Sequence, residues 1–157
     1  MVATAKPESP DTIHTINICQ QVEVDASLEI TFEAVLAELG PGSELPDGTP
    51  FPFKCEPWPG GRWYRDLGDN AGHLWGHVQV IKPPKLLELS GPMFMSYPAL
   101  NFVQYRLTPE GKGTRLQFTH RGFGLIPAED REGVNKGWDH ALKRIREIAA
   151  RLAAERR

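Results

Sequence analysis

From Ala128 to Arg157 the chain contains no proline, and Val134, Trp138, Ala141, Leu142, Ile145, Ile148 and Leu152 recur at helical spacing. Lys143, Arg144, Glu147, Arg151 and Glu155 fall on the other side. A helix of about 25 residues rises 1.5 Å per residue and so spans about 37 Å, enough to cross a whole β-sheet. One apolar stripe on so long an element has to be covered, and the covering surface must come from the rest of the chain. Arg151, Arg156 and Arg157 near its end suit the negative pole of the helix dipole.

What precedes this helix reads mostly as strands. Ile16, Ile18, Val22 and Val24 lie on one side of a first strand within residues 13–24, and Gln20 falls on that apolar side. Asp25-Ala26-Ser27 offers an N-cap to a short helix carrying Leu28, Phe32, Val35, Leu36 and Leu39, which Gly40-Pro41-Gly42 ends. Alternation resumes at Phe51, Phe53 and Cys55, turns at Gly60-Gly61, and returns over Arg62 to Leu67. From His73 to Ile81 the pattern predicts Leu74, Gly76, Val78 and Val80 on the inner face, with His73 and His77 solvated. Pro83-Pro84 breaks this run, because proline cannot donate to a ladder. Strands over 86–90, 101–107 and 114–120 follow, separated by an apolar loop from Gly91 to Ala99 and a turn at Pro109 to Gly113. Seven strands joined by short loops pair antiparallel. The expected fold class is α+β, a curved seven-stranded antiparallel sheet wrapped around the long C-terminal helix.

Size and charge narrow the function. The 157 residues fit one domain, expected over 13–157 behind a disordered lead-in at 1–12. A formal net charge of −2 lacks the basic excess of a nucleic-acid binder, and no apolar run is long enough to span a bilayer as a helix. Lys6, Glu8 and Asp11 with Pro7 and Pro10 are unlike a signal peptide, so the expected compartment is the cytoplasm, with Cys19 and Cys55 reduced.

The order of elements resembles the START-like SRPBCC superfamily, the helix-grip fold, and more narrowly its branch related to activator of heat-shock protein 90 ATPase. The resemblance covers about residues 13–150. It rests on Val22-Glu23-Val24-Asp25-Ala26-Ser27, Pro59-Gly60-Gly61-Arg62-Trp63, Gly76-His77-Val78 with Pro83-Pro84 and Leu87, Gly113-Thr114-Arg115-Leu116, and Gly137-Trp138-Asp139 with Leu142. These are markers of fold and carry no reaction. The resemblance implies a hydrophobic cavity between sheet and helix, and neighbouring first and last strands.

Within such a cavity, Trp63, Tyr105, Phe118, Trp138 and Leu142 are expected as apolar lining. Gln20, Arg65 and His120 are the candidate polar anchors, with Gln20 and His120 close enough to meet. A filled core and structural hydrogen bonds are the plainer alternatives for both groups. Met93, Phe94, Met95 and Tyr97 crowd one loop, which reads as a lid or as a partner contact, a homodimer included. No catalytic set, metal site or cofactor motif emerges: His73 and His77 on a strand lie about 13 Å apart, and no nucleophile has a base at a recognisable spacing. The leading expectation is a protein that binds or senses a small apolar molecule. A co-chaperone-like interaction module and a cyclase- or hydrolase-type enzyme stand as alternatives.

Overall fold

The computed structural model describes residues 9–157; residues 1–8, most of the expected lead-in, lie outside the described residues. Nine elements follow in order: β1 (His14–Val24), α1 (Leu28–Glu38), β2 (Lys54–Cys55), β3 (Arg62–Gly68), β4 (Ala71–Lys82), β5 (Leu86–Gly91), β6 (Ala99–Glu110), β7 (Gly113–Gly124) and α2 (Ala128–Glu155). The strands form one sheet in the order β1-β7-β6-β5-β4-β3-β2, with every pair antiparallel. Only the β1–β7 pairing is not between consecutive strands. It closes the curve that grips the helices, and the fold is the helix-grip α+β architecture.

Local chemistry explains the element ends. Ser27 caps α1 by accepting from the Ile30 amide at 3.2 Å. Behind the helix the Gly42 amide donates to the Ala37 carbonyl at 2.8 Å, turning the chain away. Arg156 at the end of α2 grips Glu33 of α1 with two bonds of 2.7 Å, so this cation serves the helix pair rather than the helix dipole alone.

Both helices lie on the concave face. The Trp138 ring sits 4.3 Å from that of Phe118, and Gln20 of β1 donates to Asn135 of α2 at 2.9 Å. Val134, Trp138, Ala141, Leu142, Ile145 and Ile148 are buried beneath α2, as its stripe requires. Seven strands at about 4.8 Å spacing make a sheet about 29 Å wide, whereas two helices about 10 Å across cover some 20 Å of it. The helices sit toward β1, β7 and β6, so the inner face of β2 to β4 is the part left thinly covered.

That part also departs from simple alternation. Trp63 pairs with Gly76 but Tyr64 pairs with Leu74, which leaves Trp75 as an extra residue, a β-bulge. The bulge turns Trp75 inward and reverses the faces before it. Leu74, expected inside, is 41% exposed, and His73 stands on the inner side opposite Arg65. A second irregularity at Gln79 places Ile81, rather than Val80, opposite the buried Leu87. Period-two reading fails at each bulge because one inserted residue flips everything beyond it. Expected strand residues Phe51 and Phe53 lie ahead of β2, which keeps only two residues, yet Phe53 is buried all the same.

Candidate functional site

Above β2, β3 and β4 the structure leaves a cleft of about 350 Å³. Phe53, Trp63 and Trp75 form its sheet wall; Met93 and Phe94 close one end; Val134, Trp138 and Ala141 supply the helix wall. Leu45, Pro46, Gly133 and Gly137 lie at its exposed rim. The sheet wall is a packed aromatic cluster. Trp75 meets Phe53 edge-on at 4.6 Å and Trp63 at 5.3 Å between ring centroids. The bulge is what permits this, since Trp63 and Trp75 would otherwise face opposite sides. Gly76 and Gly91 let the backbones of β4 and β5 close up, because a β-carbon on Gly91 would strike Gly76 and the Trp75 carbonyl. That carbonyl accepts from the Met93 amide at 2.8 Å and so seats Met93 and Phe94 against the cleft.

One of the ionisable side chains lining the cleft is buried. Glu38, the last residue of α1, is 7% exposed and lines the cleft. Burial raises its carboxyl to about 8, against a smaller opposing pull from Arg144, and no hydrogen bond reaches it among the described residues. Arg144 is committed elsewhere, donating to the Gly42 carbonyl at 3.1 Å and lying 3.6 Å from Glu44. Beside Glu38, the Tyr105 hydroxyl is buried without a partner, and burial, then Glu38 and Cys55, hold it well above the usual phenol range.

The expected anchors fall elsewhere. His120 is fully buried, and its ring is held between two partners: Trp138 Nε1 donates to Nδ1 at 2.9 Å, and Nε2 lies 2.7 Å from Asn101 Oδ1. With Nδ1 accepting, the neutral ring carries its proton on Nε2 and donates it to Asn101. Asn101 in turn donates to the Pro92 carbonyl and the Met95 sulfur, both at 3.3 Å. Burial lowers His120 to about 4, so it stays neutral at ordinary pH. This chain ties α2 to β7, β6 and the 92–98 loop and steadies Trp138, but His120 itself does not line the cleft. Gln20 does not meet His120; it faces Phe118 across the strands and bonds Asn135. Arg65 lies with its guanidinium 3.5 Å above the Phe51 ring, behind the wall rather than in it. Of the expected apolar lining, Trp63 and Trp138 reach the cleft, while Tyr105, Phe118 and Leu142 are core.

The 93–97 loop is also less free than its composition suggests. Met93 and Met95 are 3% and 2% exposed, and the Tyr97 hydroxyl donates to Asp130 of α2 at 2.6 Å. Met93 and Phe94 line the cleft; Met95 and Tyr97 fasten the loop to its surroundings. Sequence reading missed Glu38, although a signal existed. Thr31, Val35 and Glu38 follow the i, i+4, i+7 rhythm of the buried face, which puts an acid where an apolar residue is due. Trp75 carried no such signal, because bulges leave none in the alternation.

Cys19 and Cys55 are unpaired thiols, and among the described residues no group of three or more His, Cys, Asp or Glu is placed to hold a metal ion. No helix among those residues is long and apolar enough to cross a membrane.

A curved antiparallel sheet gripping a long terminal helix defines a protein of the helix-grip, START-like class. Within it, residues 48–150 match the family described as activator of Hsp90 ATPase homolog 1-like protein, and the chain belongs to that family. No curated protein matches it. Among solved structures it is similar to an uncharacterised Rhizobium leguminosarum protein, with 16% identity, TM-score 0.68, and 89% of this chain and 97% of that one covered. It is similar also to the Mll3558 protein of Rhizobium loti, at 21% identity and TM-score 0.64, covering 87% and 99%. CalU16 of Micromonospora echinospora matches at 22% identity and TM-score 0.58, covering 96% of this chain and 85% of its own. These likenesses establish a shared fold.

Proposed function

We propose that the protein binds a small, mainly apolar molecule in the cleft between the sheet and α2, as a carrier or sensor acting in the cytoplasm. The observation that carries this reading is a space of about 350 Å³ walled by Phe53, Trp63, Trp75 and Trp138 with a single buried carboxyl inside it. An aromatic wall with one polar group is the usual composition of a small-molecule site, the wall giving affinity and the polar group orientation. Gly133 and Gly137 add support. They stand one turn apart at the rim, on a helix that would gain from alanine, and a β-carbon at either would meet nothing within 4 Å. Their smallness keeps the entrance open at a cost in helix stability.

The same glycines provide the test. The neutral fluorophore N-phenyl-1-naphthylamine should brighten on binding the wild type. Gly137→Leu, which projects a side chain over the cleft without disturbing the core, should weaken that binding about tenfold with a melting temperature no lower than that of the wild type. Absence of binding to the wild type, or equal binding to a folded Gly137→Leu, would remove the reading.

The family's name links its members to the Hsp90 ATPase, but an interaction role through the 93–97 loop has little to present, with both methionines buried. An enzymatic role through His120 finds that ring saturated by Trp138 and Asn101, outside the cleft.

A further inference from the structure

The chemistry of the cleft lining narrows what it would accept. Its ionisable side chains are Glu38, Glu44, Glu129, Asp130 and His140; no lysine or arginine lines it among the described residues. Glu129 and Asp130 sit in the first turn of α2, where the helix dipole offsets part of their charge, and Asp130 is engaged by Tyr97. Glu44 faces His140 at 3.5 Å and Arg144 at 3.6 Å. Glu38 has no such partner. Its position at the C-terminal end of α1, the negative pole of that helix, favours a cation beside it and disfavours an anion. The aromatic wall points the same way, because ring faces attract a desolvated ammonium and repel a carboxylate.

We propose that the preferred ligand of the cleft is an amphipathic amine, its apolar body against Trp63, Trp75 and Trp138 and its ammonium paired with the carboxylate of Glu38. This rests on the binding role argued above and names the ligand class. The pairing has a consequence for protons. Without ligand, Glu38 holds a proton at neutral pH; an ammonium requires it ionised, so binding expels that proton to solvent. The groups that act on Glu38 or share its surroundings are Arg144 on α2 and Tyr105 on β6, with His140 and Glu44 lining the same cleft and Cys55 of β2 acting on Tyr105.

The test uses three probes with one tail: octylamine, 1-octanol and octanoate, titrated at pH 7 by calorimetry and by tryptophan fluorescence. Octylamine should bind about tenfold tighter than octanol, with octanoate weakest. Calorimetry in two buffers of different ionisation heat should show close to one proton released per octylamine and none with octanol. Glu38→Gln, near in shape to the protonated acid, should abolish both the preference and the proton release. If all three bind alike, or octanoate binds best, the amine proposal falls while the apolar cleft stands. If none binds, both fall. Proton release that persists in Glu38→Gln would assign it to His140 or Glu44 and overturn the role given to Glu38. Should that variant not fold, the wild-type count taken from pH 7 to 9 decides instead: release that fades above pH 8, where free Glu38 is already ionised, supports the assignment, and release that does not fade overturns it.

Discussion

The side chain with the most consequences for stability is His120, for it is buried and yet satisfied on both nitrogens. A buried polar group that loses its partner costs about 1–3 kcal/mol. Asn101→Leu removes the acceptor of the His120 Nε2 proton and leaves the imidazole half-satisfied; urea denaturation should show a loss of about 2 kcal/mol. Gly122→Ala should cost a similar amount by another route, since its β-carbon would press on Asn101 Oδ1 and force that amide out of the chain. The polarity of His120 was legible in the sequence as a histidine on an apolar face. Its partners were not, since Asn101 and Trp138 stand 19 and 18 residues away on the two flanking elements, and spacing within one strand does not say which side chains of its neighbours it meets. Gln20 showed the same pattern and found Asn135 instead.

At the scale of elements, α2 was the most legible part of the chain, because its stripe keeps helical period from Val134 to Leu152 and nothing interrupts it. Its two glycines carry a stability cost that can be measured. Gly133→Ala and Gly137→Ala have open space for a β-carbon and should each stabilise the protein by up to about 1 kcal/mol, with a rise in thermal midpoint. The strands were legible in number and order, and β4 was misread where Trp75 and Gln79 bulge. A bulge is decided by what the neighbouring strand and the packed face demand, and it leaves no periodic trace.

For the whole molecule, two buried titrating groups set opposing slopes of stability against pH. The folded-state value of His120 lies below that of a free imidazole, about 4 against 6.5. The unfolded chain therefore binds more protons between those limits, and stability rises with pH there. The folded-state value of Glu38 is raised, from 4.5 to about 8, so the folded protein binds more protons in that interval and stability falls with rising pH. From 4.5 to 6.5 the two largely cancel, and above 6.5 only Glu38 acts. Wild-type stability should fall by roughly 1 kcal/mol between pH 6.5 and 8, at up to about 1.4 kcal/mol per unit. Glu38→Gln should be level over that range and should rise between pH 4.5 and 6.5. Urea midpoints across a pH series would show both slopes.

Periodicity determined the strands and the helix they must cover, because a greasy face in water has few places to go, and the short loops between strands determined their antiparallel pairing. That argument concerns which surfaces are buried and is indifferent to how completely they fill the space between them. The cleft was decided only by the tertiary structure: a seven-stranded sheet is wider than two helices, the bulge at Trp75 turns a second indole toward the first, and Glu38 is carried beneath them at the end of α1. Each of these depends on distances between separate elements, which residue spacing within any one element does not encode.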